Sequence, residues 1–284
     1  MNIGVVGIGL IGGSLAKAFK SKEFKVFASD YDGTATGFAQ LNGIIDGVLK
    51  EDTIGGCQLI FLSAPVDASI SWLKEHYQLL ASGTIVVDCC GVKREICDAG
   101  FKLASENSFI FIGGHPMAGK QVGGIKNSSK ELFEGASFAF VPMACEGEEQ
   151  IATIEALSFV KEVLSGIGFK KFVVMSAKEH DRIIAYTSQL PHIVANCFVK
   201  NPLADDQGIL VRGGSFRDVT RVAYMDEQMW AQLFLENKEF LLEQMEIFKE
   251  QLETYQQVLA DGDVEGLKKL LREGREIKTQ IENF

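Results

Sequence analysis

Positive charge is in short supply in this chain of 284 residues: 28 Lys and Arg stand against 38 Asp and Glu, a net charge of -10. That deficit argues against non-specific binding to nucleic acid or to anionic membrane. It leaves room for an anionic substrate, because a local basic cluster can outweigh the mean. Long apolar runs are also missing. No stretch of about 18 residues is free of both charges and glycine clusters, so no membrane span is expected. The opening Met1-Asn2-Ile3-Gly4 has no basic leader, so no signal peptide is expected either. None of the six cysteines (57, 89, 90, 97, 145 and 197) stands in a Cys-x-x-Cys pair, and none of the four histidines has a spaced Cys or His partner. A disulfide framework and a zinc site are thereby excluded, no metal is expected, and the cysteines read as reduced thiols of a cytoplasmic protein.

What is present is the makings of a large core. Hydrophobic residues make up 46% of the chain and charged ones 23%. As far as Val174, short apolar runs alternate with helical patterns: Ile3–Val6, Lys25–Ser29, Leu59–Leu62, Thr84–Val87, Phe109–Ile112, Ser137–Val141 and Phe169–Val174. This alternation predicts a doubly wound parallel sheet of the Rossmann type. Beyond it no strand is expected. Ser176 and Glu179 have capping-box spacing, which opens a helix running to about Lys200 with a kink at Pro191. An irregular stretch over Asp205–Asp226, a long helix over Met229–Leu259 and a last helix over Val264–Ile281 complete the reading. The fold class is therefore α/β followed by all-α, with domains at 1–174 and 175–284, and no further domain is expected after Phe284.

Gly7-x-Gly9-x-x-Gly12 follows the first predicted strand and opens a helix, with Leu10 and Ile11 between the second and third glycines. The glycines permit a tight turn, backbone approach to a pyrophosphate and close helix–strand packing, and the helix N-terminus offers unpaired N–H groups to the phosphates. Asp30 ends the second strand, where a carboxylate accepts from ribose hydroxyls and repels a 2′-phosphate. The four residues after it, Tyr31-Asp32-Gly33-Thr34, contain no Lys or Arg, so NAD rather than NADP is the expected cofactor. Ser63 and Pro65 end another strand at the carboxyl edge and read either as cofactor contacts or as an ordinary turn.

His115 lies in Gly113-Gly114-His115-Pro116-Met117-Ala118-Gly119, expected to be a loop after the strand Phe109–Ile112. Its neighbours are small or apolar, and a histidine so placed can accept a hydroxyl proton as hydride leaves the same carbon. That segment, together with Ser188-Gln189-Leu190-Pro191-His192, the run Gly213-Gly214-Ser215-Phe216-Arg217-Asp218-Val219-Thr220-Arg221 and Met229-Trp230, resembles the prephenate dehydrogenases, the TyrA family of tyrosine biosynthesis. The resemblance covers essentially the whole chain. It implies that His115 polarises the ring hydroxyl of prephenate for hydride transfer to NAD⁺ and that Arg221 binds a substrate carboxylate. Ser188 and His192 would line the pocket, and Trp230 would stand near the pocket and the subunit contact. It also implies oxidative decarboxylation to 4-hydroxyphenylpyruvate, with arogenate left open as an alternative substrate.

Plainer readings remain beside these. Ser188 could bond back to a carbonyl one turn earlier, His192 could be a satisfied helix histidine, and Arg217 and Arg221 could both be surface ion-pair formers. His76 and His180 default to structure or surface. Two positions depart from the family: Gly91 stands where many members carry a serine that reaches the ring hydroxyl, and Lys120-Gln121 stands where many have Thr-Glu. Other dehydrogenases with a helical second domain, such as β-hydroxyacid dehydrogenases and imine reductases, centre on a lysine and lack the His115 motif. A nucleotide-sensing protein without catalysis would need a damaged one. Leu241, Met245, Phe248, Leu252, Tyr255 and Leu259 repeat at spacings of 4-3-4-3-4, an apolar seam that predicts a homodimer.

Overall fold

The structure is a computed structural model that describes the whole chain except residues 145, 146, 205–207, 209 and 284. One sheet holds eight strands in the order β3-β2-β1-β4-β5-β6-β7-β8. They are β1 (Asn2–Val6), β2 (Lys25–Ser29), β3 (Gly47–Val48), β4 (Leu59–Leu62), β5 (Ile85–Asp88), β6 (Ile110–Met117), β7 (Ser137–Pro142) and β8 (Lys171–Val174). The central β4 and β5 are buried at every residue, as expected of continuous apolar runs covered on both faces. On one face Leu15 and Phe19 of α1 (Leu10–Lys20), Ala39 of α2 (Gly33–Leu41) and Val160 and Leu164 of α6 (Glu148–Gly166) join the core. On the other, Val66, Ile70 and Leu73 of α4 (Val66–His76) and Ile96 and Cys97 of α5 (Arg94–Ser105) do so. A single-turn α3 (Glu51–Ile54) precedes β4.

Three features of this half differ from the sequence reading. The two-residue β3 has too little apolar length to be seen as a strand. The sheet is not wholly parallel, since β6 and β7 pair antiparallel from Ile112↔Pro142 to Met117↔Ser137. The segment joining them holds only the 3₁₀ turn Ile125–Asn127, and without a crossover helix the chain returns beside the strand it has left. Finally, the expected Gly113–Gly119 loop is strand as far as Met117. The glycines are there because neighbours crowd the strand. A Cβ on Gly113 would stand 2.5 Å from Cys97 Sγ, and one on Gly114 would overlap the Asp88 carbonyl.

After β8 the described residues are helical or irregular: α7 (Ala177–Ile184), a π-helical turn (Ala185–Gln189), α8 (Leu190–Val199), α9 (Gly214–Thr220), a 3₁₀ turn (Arg221–Ala223), α10 (Glu227–Glu236), α11 (Lys238–Ala260) and α12 (Val264–Glu282). The capping box is formed, with Ser176 Oγ accepting from Glu179 N and the Glu179 carboxylate accepting from Ser176 N. The helix expected to kink at Pro191 is instead interrupted just before it by the π turn. Pro191 then falls in the first turn of α8, where its missing N–H costs little. The stretch read as irregular contains α9; its residues 205–207 and 209 lie outside the described residues. The helix expected over Met229–Leu259 is broken at Asn237. That buried side chain donates to the Asp181 carbonyl and to Gln189 Oε1, both at 2.8 Å, and a buried amide tied elsewhere interrupts the helical ladder. On the predicted seam Leu241 is buried, Phe248 and Tyr255 are half-buried, and Met245, Leu252 and Leu259 are exposed, as are Leu271, Ile277 and Ile281 of α12. Among the described residues no helix is long and apolar enough to cross a membrane.

Candidate active site

The glycine fingerprint sits at the carboxyl end of β1. Gly7 has φ +80°, a conformation L side chains rarely adopt, and a Cβ there would also press on the Ser63 carbonyl at 2.9 Å. A Cβ on Gly12 would overlap the Gly7 carbonyl, whereas one on Gly9 would meet nothing within 4 Å. Leu10 and Ile11 form the first turn of α1, which has no acidic residue and no side-chain cap, so its N–H groups are available to an anion. Asp30 accepts from Ile8 N at 2.7 Å and Asp32 N at 2.9 Å, tying the glycine turn to the end of β2. Between them opens a cleft of about 650 Å³ lined by Ile8, Gly9, Asp30 and the start of α2 on one side and by residues 123–127 on the other. An uncapped helix end, an open Gly9 and a carboxylate at the strand end fit a dinucleotide. Ser63 and Pro65 do not line this cleft; they stand at the end of β4, Ser63 N donating to the Val6 carbonyl at 2.7 Å and Pro65 leading into α4.

His115 occupies β6, opposite Ala139 of β7, and is partly exposed. Its Nδ1 lies 2.9 Å from Nε2 of His180, whose Nδ1 lies 2.9 Å from Asp181 Oδ1. His180 and Asp181 are both buried, which leaves the structural of the two plain readings of His180 and removes the surface one. Asp181 also accepts from Lys93 N at 2.7 Å and from Arg94 N at 3.0 Å. Burial disfavours its charge, but the His180 ring and these N–H donors more than offset that and hold its pKa below the usual carboxylate value. A carboxylate only accepts, so His180 must carry its proton on Nδ1 and present a bare Nε2. His115 must then donate from Nδ1, which leaves its own Nε2 with a free lone pair. Burial first, and then the nearby His180 and Lys93, push the His115 pKa well below that of a free histidine; burial also lowers His180. Beneath this chain, fully buried Asp88 forms an ion pair with fully buried Lys93 and accepts from Cys90 N and Gly114 N, locking β5 to the residue before His115.

A second group lies on the helices. Ser188 is in the π turn, and its carbonyl accepts from His192 Nδ1 at 2.7 Å, so one ring nitrogen is satisfied as the plainer reading requires while Nε2 stays open. The His192 ring packs on Trp230 at 3.9 Å between centroids, and Trp230 on Phe234 at 5.3 Å. Arg221, exposed in the 3₁₀ turn, contributes to lowering the His192 pKa after burial. Gln121 Nε2 donates to the Arg221 carbonyl at 2.5 Å. Arg217 is exposed on α9. At Gly91, a Cβ would come within 3.1 Å of Leu233 Cδ2, so the leucine takes the space a serine would need. Among the described residues no hydrogen bond or ring contact joins His115 directly to Ser188, His192, Arg221 or Trp230. The groups are connected through Asn237 and Gln189, since Gln189 Nε2 donates to the Leu233 carbonyl at 2.9 Å. Sequence reasoning missed His180, Asp181 and Asn237. The available signal was the cap at Ser176, which phases α7 so that His180, Asp181 and Ile184 share its buried face.

Residues 15–169 match the nucleotide-binding domain of prephenate dehydrogenase and residues 176–273 its dimerization domain. The chain is 32% identical over 288 aligned positions to a prephenate dehydrogenase from Lactococcus lactis subsp. cremoris, covering 98% of this chain and 77% of the relative. A crystal structure of prephenate dehydrogenase from A. aeolicus in complex with hydroxyphenyl propionate and NAD⁺ is 28% identical, with TM-score 0.85 over 99% of this chain and 98% of the other. An arogenate dehydrogenase from Synechocystis, 24% identical, has the same fold, with TM-score 0.82 over 99% of this chain and 100% of the other.

Proposed function

The chain belongs to the prephenate dehydrogenase family, and we propose that it oxidatively decarboxylates prephenate to 4-hydroxyphenylpyruvate with NAD⁺. The observation that carries the mechanism is the chain His115–His180–Asp181, which fixes the tautomer of His115. With its proton held on Nδ1, His115 offers Nε2 to the ring hydroxyl of the substrate and takes that proton as C4 becomes a carbonyl. Bound NAD⁺ supplies the hydride acceptor, held at the Gly7–Gly12 turn and at Asp30. Loss of the C1 carboxylate as CO₂ returns its bonding electrons to the ring. His115 then gives its proton back to the oxygen that has become phenolic, so no net proton is released. The depressed pKa of His115 suits this role, since the ring is a free base at neutral pH and hands the proton on readily.

Arg221 binds a substrate carboxylate through its planar guanidinium, with Ser188, His192 and Trp230 as the adjoining wall. Gly91 gives no side-chain donor to the ring hydroxyl. Residues 1–174 carry the nucleotide and 175–284 the dimer contact, and the setting is cytoplasmic. Exposed Leu252 and Leu259 on the α11 seam and Leu271 on α12 support a homodimer, since a second copy of the seam would cover them.

Mixing the protein with NAD⁺ and prephenate, with arogenate in a parallel cuvette, tests the activity through NADH absorbance. Turnover of prephenate supports the reading; turnover of arogenate alone moves the substrate assignment, and turnover of neither removes it. Light scattering after size exclusion should give twice the 31.1 kDa of the chain, and an active monomer at micromolar concentration would refute the dimer.

A further inference from the structure

We propose that Lys126 is a second determinant of cofactor choice, a cation placed to meet the 2′-phosphate of NADP⁺ across the cleft from Asp30. The proposal rests on the dinucleotide reading above. Lys126 and Asp30 line the same cleft, on walls that come from distant parts of the chain. The sequence around Asp30 shows only acids, Asp30 and Asp32, and from it the site looks closed to an extra phosphate. Folding brings the missing positive charge from residues 123–127, in the connection between β6 and β7.

That wall is built, not incidental. Ile125 is buried in the core beside α1. Ser129 N donates to Ser14 Oγ at 3.0 Å, and Lys17 Nζ donates to the Ser128 carbonyl at 2.7 Å. Gly13, one residue past the fingerprint, is what lets the segment come so close: a Cβ there would stand 2.9 Å from Ser128 Oγ and 3.2 Å from Ile125 Cγ1. Further along, Lys120 Nζ donates to the Asn127 carbonyl at 2.9 Å, and Asn127 Nδ2 to the Gly123 carbonyl at 2.6 Å. The main chain on both sides of Lys126 is therefore pinned to the helix that receives the pyrophosphate. Lys126 itself is exposed, and among the described residues no carboxylate forms an ion pair with it. An ammonium without an ion-pair partner, on the lining of a cleft that also holds a carboxylate, is a point charge for a phosphate, in a chain whose net charge is -10.

Cofactor preference is then a balance of two opposed charges. Asp30 accepts from the ribose hydroxyls of NAD⁺ and repels a 2′-phosphate, while Lys126 offsets that repulsion and keeps NADP⁺ a usable second cofactor. Direct titration tests this without turnover. Dissociation constants of NAD⁺, NADP⁺, 5′-AMP and adenosine 2′,5′-bisphosphate are measured on the wild type, K126A and K126E. The ratio of NADP⁺ to NAD⁺ affinity is expected to fall about fivefold in K126A, the upper end for an exposed ion pair, and more than about tenfold in K126E, where the charge is reversed. The bisphosphate should lose affinity relative to AMP in step, and raised salt should shrink the difference between variants. Equal changes for ligands with and without the 2′-phosphate, or none, would overturn the role of Lys126. Failure of the wild type to bind any of the four would instead remove the dinucleotide reading beneath it.

Discussion

Two histidines of the candidate site, His115 and His192, show how differently the same side chain can be held. His115 hydrogen-bonds a buried histidine that in turn hydrogen-bonds a buried carboxylate, so its tautomer is dictated from below, while burial first, and then His180 and Lys93, drive its pKa well down. His192 is half-buried, donates to the main-chain carbonyl one turn back and packs its face on Trp230. Its proton is placed too, but by a local bond that any helix could supply. The first arrangement fits the proton transfer proposed for His115, and the second fits the wall proposed for His192. The difference lies in what stands behind each ring.

The sharpest way to break that contrast is His115→Asn. With the proton acceptor gone, kcat should fall by roughly 10²–10⁴-fold, while direct titration shows NAD⁺ binding retained. A mutant that turns over at the wild-type rate would reduce His115 to the status of His192. The pH profile bears on the same point. Because the pKa of His115 is lowered from its ordinary 6.5, the free base persists as acidity rises. The acid limb of kcat/KM should therefore lie below about pH 6.5, and a limb at or above that value would argue against His115 as the base. Arg221→Ala should act on the wall rather than on the proton. Loss of a charge-assisted bond to a carboxylate costs about 1.5–3 kcal/mol, so KM for prephenate should rise roughly 10- to 150-fold. An unchanged KM would pass the role to Arg217. The smallest effect is expected from Gly91→Ser, which restores the family's hydroxyl but drives its Cβ against Leu233. Overpacking of this kind costs about 1 kcal/mol, so a lowered melting temperature that recovers in G91S/L233V would sharpen the reading, and an unchanged one would refute it.

The sequence was clearest where local chemistry and tertiary structure agree. Apolar runs gave β2 and β4 to the residue, and the Gly7–Gly12 spacing together with Asp30 anticipated a turn and a carboxylate that hydrogen-bond through Ile8. It was least clear where long-range packing overrides local preference. Gly113 to Met117 reads as a loop because glycine and proline are poor strand formers, yet the segment is strand, squeezed between Cys97, Val141 and Asp88. His180 looked unremarkable because its importance comes from His115, 65 residues away. Asn237 broke a predicted helix for the same reason, its amide being engaged by Asp181 and Gln189. Lys126 was invisible beside Asp30, being brought there only by the docking of its segment on Gly13.

The π turn at Ala185–Gln189 makes the helical wall sensitive to chain length as well as to chemistry. A π turn holds one residue more than an α-helical turn, so α8 keeps the phase it would have on a helix one residue shorter. His180 and Asp181 are set by the cap at Ser176, and His192 is set by the turn. Deleting one residue between Ala185 and Ser188 would close the turn to α-helical pitch and leave His192 on Trp230, whereas inserting one there, with each helical residue worth about 100°, would swing α8 through roughly a quarter of a circle. The two histidines would thus survive loss of a single codon there and be uncoupled by its gain.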